Sequence, residues 1–338
     1  MTTIQTLLGR EIRLRARPLG EPGPEHFELV EAEVPRLAEG QLLVRNRWMS
    51  VDPYMRGRMD AGDSYIPAFE VGEALEGSAL GEVVASRAEA IAAGTTVAHF
   101  LGWREYAVVD AAAASVVDLD LATPQAYLGV LGSTGLTAYV ALTETATVRD
   151  GDVVFVSAAA GAVGSAAGQI ARKLGAARVI GSAGGPDKAA LLVDRFGFDA
   201  AIDYKAGPIA DALAAAAPDG IDVYLDNVGG ETLAAALATM RTGGRAAIVG
   251  HVSQYNLPED PPGPNLYQLA LRELSVRGLL ITSRLDQLPA WIERGAAWLD
   301  DGSLRSADTV VDGLERAPEA LAAVLHGGNV GKMLVRLA

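Results

Sequence analysis

Short apolar runs divide the chain into two stretches with different patterns. In roughly the first 120 residues, brief runs with strand character are separated by Gly, Pro and Asp at spacings typical of all-β packing; the runs are Gln41–Met49, Glu82–Ala85, Thr96–His99 and Glu105–Val109. From Thr123, apolar runs alternate with helical spacers; they are Val153–Ser157, Arg178–Gly181, Ala201–Asp203, Val223–Asn227, Ala246–Gly250 and Ser275–Leu280. The alternation predicts an α/β domain with a doubly wound parallel sheet.

The last 30 residues return to a strand, a helix and a strand, at Thr309–Val311, Ala317–Leu325 and Lys332–Leu337. We expect this segment to pack on the first domain, which is then discontinuous in sequence. The predicted boundaries are therefore 1–123 plus 309–338 for the partly β domain, and 124–308 for the parallel-sheet domain.

Length and charge narrow the range of partners. The chain has 338 residues, half of them hydrophobic, which is enough for two buried cores. The net charge is −14 and no basic run occurs, which argues against nucleic acid and anionic membranes as partners. Met1–Gly20 contains four arginines without an apolar core and does not resemble a secretory signal. With no long apolar run for a membrane span, we expect a cytoplasmic protein.

Metal and thiol chemistry have little support in the sequence. The absence of cysteine excludes disulfides, thiol nucleophiles and thiolate metal ligands. The four histidines, His26, His99, His251 and His326, lie far apart without metal-binding spacing. We therefore predict that the protein binds no metal.

A strand followed by a glycine turn and a helix lies at Val153–Gly168, which reads VVFVSAAAGAVGSAAG. Gly161 and Gly164 would let the backbone approach a pyrophosphate, and a helix predicted over Ser165–Leu174 would present its N–H groups to it. Ala159 stands where G-x-G-x-x-G has its first glycine, so the motif is incomplete. A dinucleotide site is favoured, and a turn that serves packing alone remains the alternative.

The residues beyond the next strand favour NADPH over NADH. An NAD site would have an acidic residue about 20 residues past the glycines, but Gly181–Gly185 contains none. Lys188 follows, and Tyr204 and Lys205 end a third strand at the same edge. The alternative is that both lysines are ordinary solvated surface charges.

Five separated motifs carry a resemblance to a known family: Val51–Gly57, Gly132–Ala138, Asp226–Gly230, Ser253–Asn256 and Gly327–Lys332. Over essentially its whole length, the chain resembles the zinc-independent medium-chain dehydrogenase/reductase superfamily. Within it, the motifs are similar to the prostaglandin reductase, leukotriene B4 dehydrogenase and alkenal double-bond reductase family, which includes the curcumin reductases.

The resemblance implies a doubly wound Rossmann sheet beside a mostly β, GroES-like catalytic domain. It implies NADPH-dependent reduction of the carbon–carbon double bond of α,β-unsaturated ketones or aldehydes, by hydride transfer to the β carbon and protonation of the enolate, and a homodimer. The implied cofactor-binding residues are Gly161, Ala162, Val163 and Gly164 at the pyrophosphate, Lys188 and Tyr204 at the 2′-phosphate, and Thr134, Asn227, Ser253 and Asn329 along the remainder.

Reduction of an enone develops negative charge on the carbonyl oxygen, which needs a hydrogen-bond donor. Tyrosine suits this role because its phenol stays protonated at neutral pH. The resemblance points first to Tyr255 and then to Tyr54 and Tyr65 as catalytic donors. The alternative is that these tyrosines only cap hydrophobic cores.

Two other functions are compatible with the sequence. A quinone oxidoreductase of the same superfamily would share the glycine turn and differ in its substrate. A non-catalytic NADPH-binding sensor would keep the fold without turnover, although the three tyrosines argue against it.

Overall fold

The computed structural model describes residues 7–62, 64–259 and 261–338. The chain divides into two compact units. One, the β unit, comprises Met1–Leu128, Thr309–Gly328 and Met333–Ala338; the other, the α/β unit, comprises Gly129–Asp308 and Asn329–Lys332. The C-terminal segment therefore contributes to both units.

The β unit contains antiparallel strands and three short helices. Its strands are β1 (Leu8–Leu14), β2 (Phe27–Glu33), β3 (Gln41–Val51), β4 (Ala79–Ser86), β5 (Thr96–His99), β6 (Tyr106–Asp110), β7 (Ser115–Val116), β14 (Asp308–Asp312) and β15 (Lys332–Arg336). Its α-helices are α1 (Tyr54–Arg58), α2 (Pro124–Leu128) and α10 (Ala317–Leu325). Single 3-10 turns cover Pro24–His26, Ala111–Ala113 and Leu314–Arg316.

The α/β unit alternates strands with helices. Its strands are β8 (Val153–Val156), β9 (Arg178–Ala183), β10 (Ala200–Asp203), β11 (Ile221–Asp226), β12 (Met240–Ile248) and β13 (Ser275–Gly278). Its α-helices are α3 (Ser133–Val140), α4 (Ala162–Lys173), α5 (Pro186–Asp194), α6 (Ile209–Ala216), α7 (Gly230–Thr239), α8 (Tyr267–Leu271) and α9 (Leu288–Asp300). A π-helical turn spans Ala141–Thr145 and a 3-10 helix spans Ile281–Gln287.

The six strands of the α/β unit form one parallel sheet in the order β10-β9-β8-β11-β12-β13. The chain builds outward from β8 in one direction and resumes at β11 in the other, so the strand order reverses between these two. Ligands of open α/β sheets bind outside the carboxyl ends of the strands at such a reversal. The fold therefore predicts a ligand site where β8 and β11 end.

The central strands are apolar because helices cover both faces of the sheet. Val154, Phe155 and Val156 of β8 are fully buried, as are Tyr224 and Leu225 of β11. The Phe155 and Tyr224 rings stack with centroids 5.1 Å apart. This packing holds the carboxyl ends of the two strands in a defined place.

The long strand β3 organises the β unit by pairing with β4, β6 and β15. Its residues alternate between buried and half-exposed from Leu42 to Asn46, as a strand with one face on a core requires. The register with β4 shifts between Asn46 and Trp48, and beyond it Met49, Ser50 and Val51 are all buried. The shift thus adapts one strand to two environments.

The predicted fold class is confirmed, while several local features differ from the prediction. The β1–β2 hairpin was not predicted, because charged residues dominate both strands and only Ile12, Leu14 and Phe27 are buried. Helix α4 begins at Ala162, three residues before the predicted start, because Gly161 acts as its N-cap. Within the described ranges, no helix is long and apolar enough to cross a membrane.

Candidate functional site

The turn between β8 and α4 is tight and leads directly into the N-terminus of the helix, where none of the described side chains forms a capping hydrogen bond. Ala158 has φ +46°, a left-handed conformation that is uncommon for a non-glycine residue. A Cβ on Gly164 would lie 2.4 Å from the Ala158 carbonyl oxygen, so only glycine permits this approach. No side chain in the described chain caps α4. Its first N–H groups, which include those of Ala162 and Val163, therefore suit an anion.

The alanine that interrupts the glycine motif is accommodated by the neighbouring strand. Ala159 is buried and its N–H donates to the Ser182 carbonyl at 2.8 Å. A Cβ on Gly181 would lie 2.7 Å from the Ala159 Cβ. Glycine in β9 thus makes room for the alanine methyl group, and the turn keeps its course without the first glycine.

A cluster of basic and phenolic side chains surrounds the loop after β9. A Cβ on Gly184 would lie 2.8 Å from the Tyr204 hydroxyl and 3.0 Å from Cε of Lys205. Lys188 lies in the first turn of α5, and its pKa is lowered by burial and by the charge of Lys205. The positive charge of Lys205 disfavours the charged form of Lys188, and an anionic ligand nearby would offset this repulsion. We call Lys188, Tyr204 and Lys205 the basic cluster.

The carboxylate of Asp203, next to Tyr204 in sequence, is engaged by the backbone. Asp203 Oδ1 accepts hydrogen bonds from the N–H groups of Gly185 at 2.7 Å and Lys205 at 3.0 Å. It fixes the loop after β9 to the end of β10, which brings Lys205 toward Gly184. Asp203 therefore shapes the basic cluster while its charge is partly balanced by these two donors.

Asn227 lies at the reversal of strand order, directly after β11. Its amide Nδ2 donates to the Ser157 carbonyl at 2.7 Å, and its backbone N–H donates to Ser157 Oγ at 2.9 Å. Ser157 follows β8, so the ends of the two central strands are joined through these residues. The predicted cofactor residue Asn227 is thus at the edge where the fold predicts a ligand.

A buried carboxylate organises the same edge. Asp226 Oδ1 accepts hydrogen bonds from Tyr224 OH at 2.6 Å, from Ser157 Oγ at 3.2 Å and from the N–H groups of Val228 and Gly229, each at 2.9 Å. Asp226 Oδ2 is buried and has no hydrogen-bond partner among the described residues. Burial and the Asp226 charge raise the pKa of Tyr224 well above its usual value, so this phenol is a permanent donor.

The loop after β12 lies along the turn that carries Asn227. The N–H of Ser253 donates to the Val228 carbonyl at 3.2 Å, and Ser253 Oγ donates to the same oxygen at 2.6 Å. Tyr255 follows two residues later, and its ring meets that of His251 edge-on with centroids 4.5 Å apart. The structure therefore brings the predicted residues Asn227, Ser253 and Tyr255 to one edge of the sheet.

Residues Asn329–Lys332, which we call the strap, reach the glycine turn from far along the chain. The Gly331 N–H donates to the Ala160 carbonyl at 2.7 Å, and Gly331 forms a parallel bridge with Gly161. Lys188 Nζ donates to the Asn329 carbonyl at 2.6 Å. The strap thus connects the glycine turn to the basic cluster, and the predicted residue Asn329 lies between them.

Tyr54 and Tyr65 belong to the β unit and lie close to each other. Tyr54 begins α1 and is half-buried, whereas Tyr65 is 52% exposed. Burial and the charge of Asp52 raise the pKa of both phenols, for Tyr54 well above its usual value. Both side chains therefore remain neutral hydrogen-bond donors at physiological pH.

Thr134 lies in the first turn of α3, which packs against α4. Its Oγ1 donates to the Gly129 carbonyl at 2.8 Å. Its role in cofactor binding stays a prediction.

Sequence reasoning missed the three partners that support Asn227, namely Ser157, Tyr224 and Asp226. A polar residue directly after each of two apolar runs, Ser157 and Asp226, was the available signal. Polar residues where neighbouring parallel strands end converge on one edge of the sheet. Their pairing could not be inferred, because Ser157 and Asn227 are 70 residues apart.

Two family models match most of the chain. Residues 10–117 match the model described as the N-terminal domain of oxidoreductase, and residues 162–296 match the model described as zinc-binding dehydrogenase. The chain has no cysteine, and its described residues contain no group of three His, Cys, Asp or Glu side chains that could hold a metal ion.

Known relatives cover nearly the whole chain. The NADPH-dependent curcumin reductase of Escherichia coli is 36% identical over 96% of this chain and 96% of its own length. The 2-alkenal reductase (NADP(+)-dependent) of Nicotiana tabacum is 35% identical over 97% of each. The crystal structure of CurA in complex with NADPH from Vibrio vulnificus superposes with a TM-score of 0.92 at 37% identity, covering 97% of this chain and 99% of that one.

A more distant likeness concerns the fold alone. The Escherichia coli quinone oxidoreductase complexed with NADPH is 22% identical, with a TM-score of 0.78 over 97% of this chain and 99% of that chain.

Proposed function

We propose that this chain, which belongs to the zinc-independent medium-chain dehydrogenase/reductase family that includes prostaglandin, 2-alkenal and curcumin reductases, reduces the carbon–carbon double bond of α,β-unsaturated ketones or aldehydes with NADPH. The observation that carries the proposal is the basic cluster together with the glycine turn, which leads into a helix without a side-chain N-cap among the described residues. Both belong to a unit with a Rossmann strand order. Two ammonium groups and a phenol fit the 2′-phosphate that distinguishes NADPH from NADH.

Different residues of the chain are assigned to different parts of the cofactor. The N–H groups at Gly161–Gly164 suit the pyrophosphate, and the basic cluster suits the 2′-phosphate. We assign Thr134, Asn227, Ser253 and Asn329 to the remaining contacts. When bound, NADPH supplies the hydride that is added to the β carbon of the substrate. The residues at the sheet edge serve to orient it and to keep water out.

Hydrogen-bond donation to the developing enolate falls to tyrosines. We assign this role first to Tyr255, on the loop beside Asn227, and then to Tyr54 and Tyr65. The raised pKa values of Tyr54 and Tyr65 support this role, because a neutral phenol donates a hydrogen bond where a phenolate would repel the enolate. Removing one such donor is expected to lower kcat by about a hundredfold.

The test follows NADPH absorbance with purified protein and a panel of 2-alkenals, alkenones and quinones, repeated with NADH. We expect rapid reduction of enones with a preference for NADPH, and a large loss in Tyr255→Phe. Tyr127→Phe is the matched control, since it removes only a hydrogen bond to the Asp118 carbonyl. Turnover of quinones alone would establish the quinone reductase instead. NADPH binding without consumption would indicate a sensor.

We further propose a catalytic domain at residues 1–123 plus 309–338 and an NADPH-binding domain at residues 124–308; the bounds of the two units differ from these at 124–128 and at Asn329–Lys332. The proposed substrate is a small apolar molecule. The protein is proposed to act in the cytoplasm and to bind neither nucleic acid nor membranes. Cell fractionation with a tagged full-length chain tests the location. Recovery of the protein with membranes would contradict it.

We also propose a homodimer through the outer edge of the α/β unit. Among the described strands, β13 is at the end of the sheet next to β12, and the segments that precede and follow it in sequence carry exposed apolar side chains: Leu257, Leu266, Tyr267, Leu271, Leu280 and Leu285. Exposed apolar patches with a free strand edge favour association. Sedimentation should give about twice the chain mass of 35.1 kDa, and Leu266→Glu should halve it. A particle of the chain mass for the unmodified protein would contradict the dimer.

A further inference from the structure

The strap is held at two points by different parts of the α/β unit. At its Gly331 end it joins the glycine turn through the bond to Ala160, and the Lys332 N–H donates to the Ala307 carbonyl at 2.8 Å. Gly331 has φ +65°, and a Cβ there would lie 1.8 Å from the Ala307 oxygen. This end of the strap therefore has a single tightly packed position.

The Asn329 end is held by a charge-assisted hydrogen bond. Lys188 Nζ donates to the Asn329 carbonyl at 2.6 Å across 141 residues of sequence. The Asn329 side chain bends back, with Nδ2 donating to the Gly331 carbonyl at 2.6 Å. Lys188 thus ties the first turn of α5 to the strap, and it does so while belonging to the basic cluster.

We propose that Lys188 is a positioning residue for the strap in addition to a ligand of the 2′-phosphate. An ammonium group has three N–H donors, so the bond to the Asn329 carbonyl is compatible with a phosphate contact. By holding Asn329, Lys188 sets the place of the strap against the glycine turn, where any dinucleotide must lie. Its removal then impairs NADH as well as NADPH. The inference rests on the proposed function.

Lys205 provides the matched control within the same cluster. Its Cε lies beside Gly184, and its backbone N–H donates to Asp203. In the described chain, its Nζ makes no hydrogen bond to the strap. Lys205 therefore contributes charge to the 2′-phosphate site alone, and its loss should leave NADH unaffected.

The experiment compares Lys188→Met and Lys205→Met with NADPH and NADH and one enone. Both variants should raise KM for NADPH by about tenfold, as expected for the loss of a charge-assisted bond. With NADH, Lys205→Met should stay within about twofold of the wild type, whereas Lys188→Met should lose about fivefold or more in kcat. Lys188→Arg, which keeps a donor for the carbonyl, should recover much of that loss.

Two readouts do not depend on turnover. Hydrogen exchange of the protein without cofactor should show faster exchange of the Gly331 amide in Lys188→Met and no change in Lys205→Met. NADH binding, followed by nicotinamide fluorescence, should weaken only in Lys188→Met. Unchanged strap exchange, or equal loss with NADH in both variants, would overturn the inference. If the wild type reduces no enone, the proposed function fails, and these two readouts still decide the role of Lys188.

Discussion

A buried polar network around His99 in the β unit and another around Asp226 in the α/β unit differ in charge and in the groups that they hold. In the β unit, His99 and Asn46 pair side chain to side chain inside the core. In the α/β unit, Asp226 gathers Tyr224 and Ser157 where the central strands end. The first network is neutral and contains no predicted cofactor residue. The second is built on a carboxylate and holds the turn that carries the predicted residue Asn227. Both networks therefore stabilise the fold, and the second also sets the geometry of a predicted site residue.

The neutral state of His99 follows from its surroundings. Leu101 N–H donates to Nδ1 at 3.1 Å, so Nε2 carries the proton and donates to Asn46 Oδ1 at 2.8 Å. Burial, together with the positive charge of Arg104, lowers the pKa of His99 to about 4. Asn46 Nδ2 in turn donates to the carbonyls of Leu101 and Arg104. Both ring nitrogens of His99 therefore have a hydrogen-bond partner while the imidazole is neutral.

The largest effect is expected from removing the carboxylate. Asp226→Ala removes the acceptor shared by four donors, and the N–H groups of Val228 and Gly229 have no other acceptor among the described residues, so the free energy of unfolding should fall by about 3–5 kcal/mol. It should also weaken NADPH binding, because the turn that carries Asn227 loses its anchor. Urea unfolding and NADPH fluorescence measure the two effects.

The control for that variant is Asp222→Ala at the other end of the same strand. Asp222 binds Arg241 at 2.8 Å and the Val153 N–H at 2.8 Å, away from the carboxyl edge. It should cost about 1 kcal/mol and leave NADPH binding intact. Equal loss of NADPH binding in both variants would show that the effect of Asp226 is not specific to the carboxyl end of the strand.

The next effect depends on pH and concerns His99. The unfolded chain binds a proton near the usual histidine pKa of 6.5, while the folded chain binds it only at about 4. Wild-type stability should therefore fall as pH decreases through this window, by about 3 kcal/mol in total. In His99→Gln this part of the fall should be missing, as measured by urea unfolding at about pH 7 and about pH 4.5.

His326→Gln is the control for the pH experiment, since this histidine is exposed and pairs with Glu21 at the surface. Its pH profile should follow that of the wild type. If His99→Gln shows the same decline as the wild type, the histidine is not held neutral by the core.

A smaller effect that does not depend on pH is expected from Tyr224→Phe. The loss of one donor to Asp226 should cost about 2 kcal/mol. Because the raised pKa of Tyr224 keeps it protonated, this cost should be constant from about pH 6 to about pH 9. Urea unfolding across this range tests it, with Tyr127→Phe, a half-buried phenol that donates to the Asp118 carbonyl, as the control. If the loss of stability in Tyr224→Phe varied with pH in this range, the phenol would not be held protonated by its surroundings.

The smallest effect is expected at Ala158. Ala158→Gly relieves the strain of φ +46° but adds freedom to the unfolded chain, so stability should change by less than about 1 kcal/mol. Ala160→Gly, at a position without positive φ, should instead lose about 1 kcal/mol. Thermal unfolding of the pair tests whether strain is stored in the turn. Equal losses would indicate that it is not.

Much of the site could be predicted because its signals are local. The strand, turn and helix around Gly161 and the lysine in α5 follow from residues that are close in sequence. The exception within this set is the helix start, which depends on Gly161 adopting an extended N-cap conformation. The hairpin β1–β2 lay beyond prediction, since its few apolar residues gain their burial only from partners elsewhere in the β unit.

The sequence by itself determined the alternation of strands and helices, the glycine turn with its incomplete motif, and the absence of an acidic residue from Gly181–Gly185. Each depends on the order of neighbouring residues and on their intrinsic chemistry. Only the tertiary structure decided that Gly181 makes room for Ala159, that Asp226 anchors the turn of Asn227, and that Lys188 holds the strap. These pairs are brought together by packing of the sheet and helices. Packing joins residues that are far apart in sequence, and no local sequence pattern indicates which of them will meet.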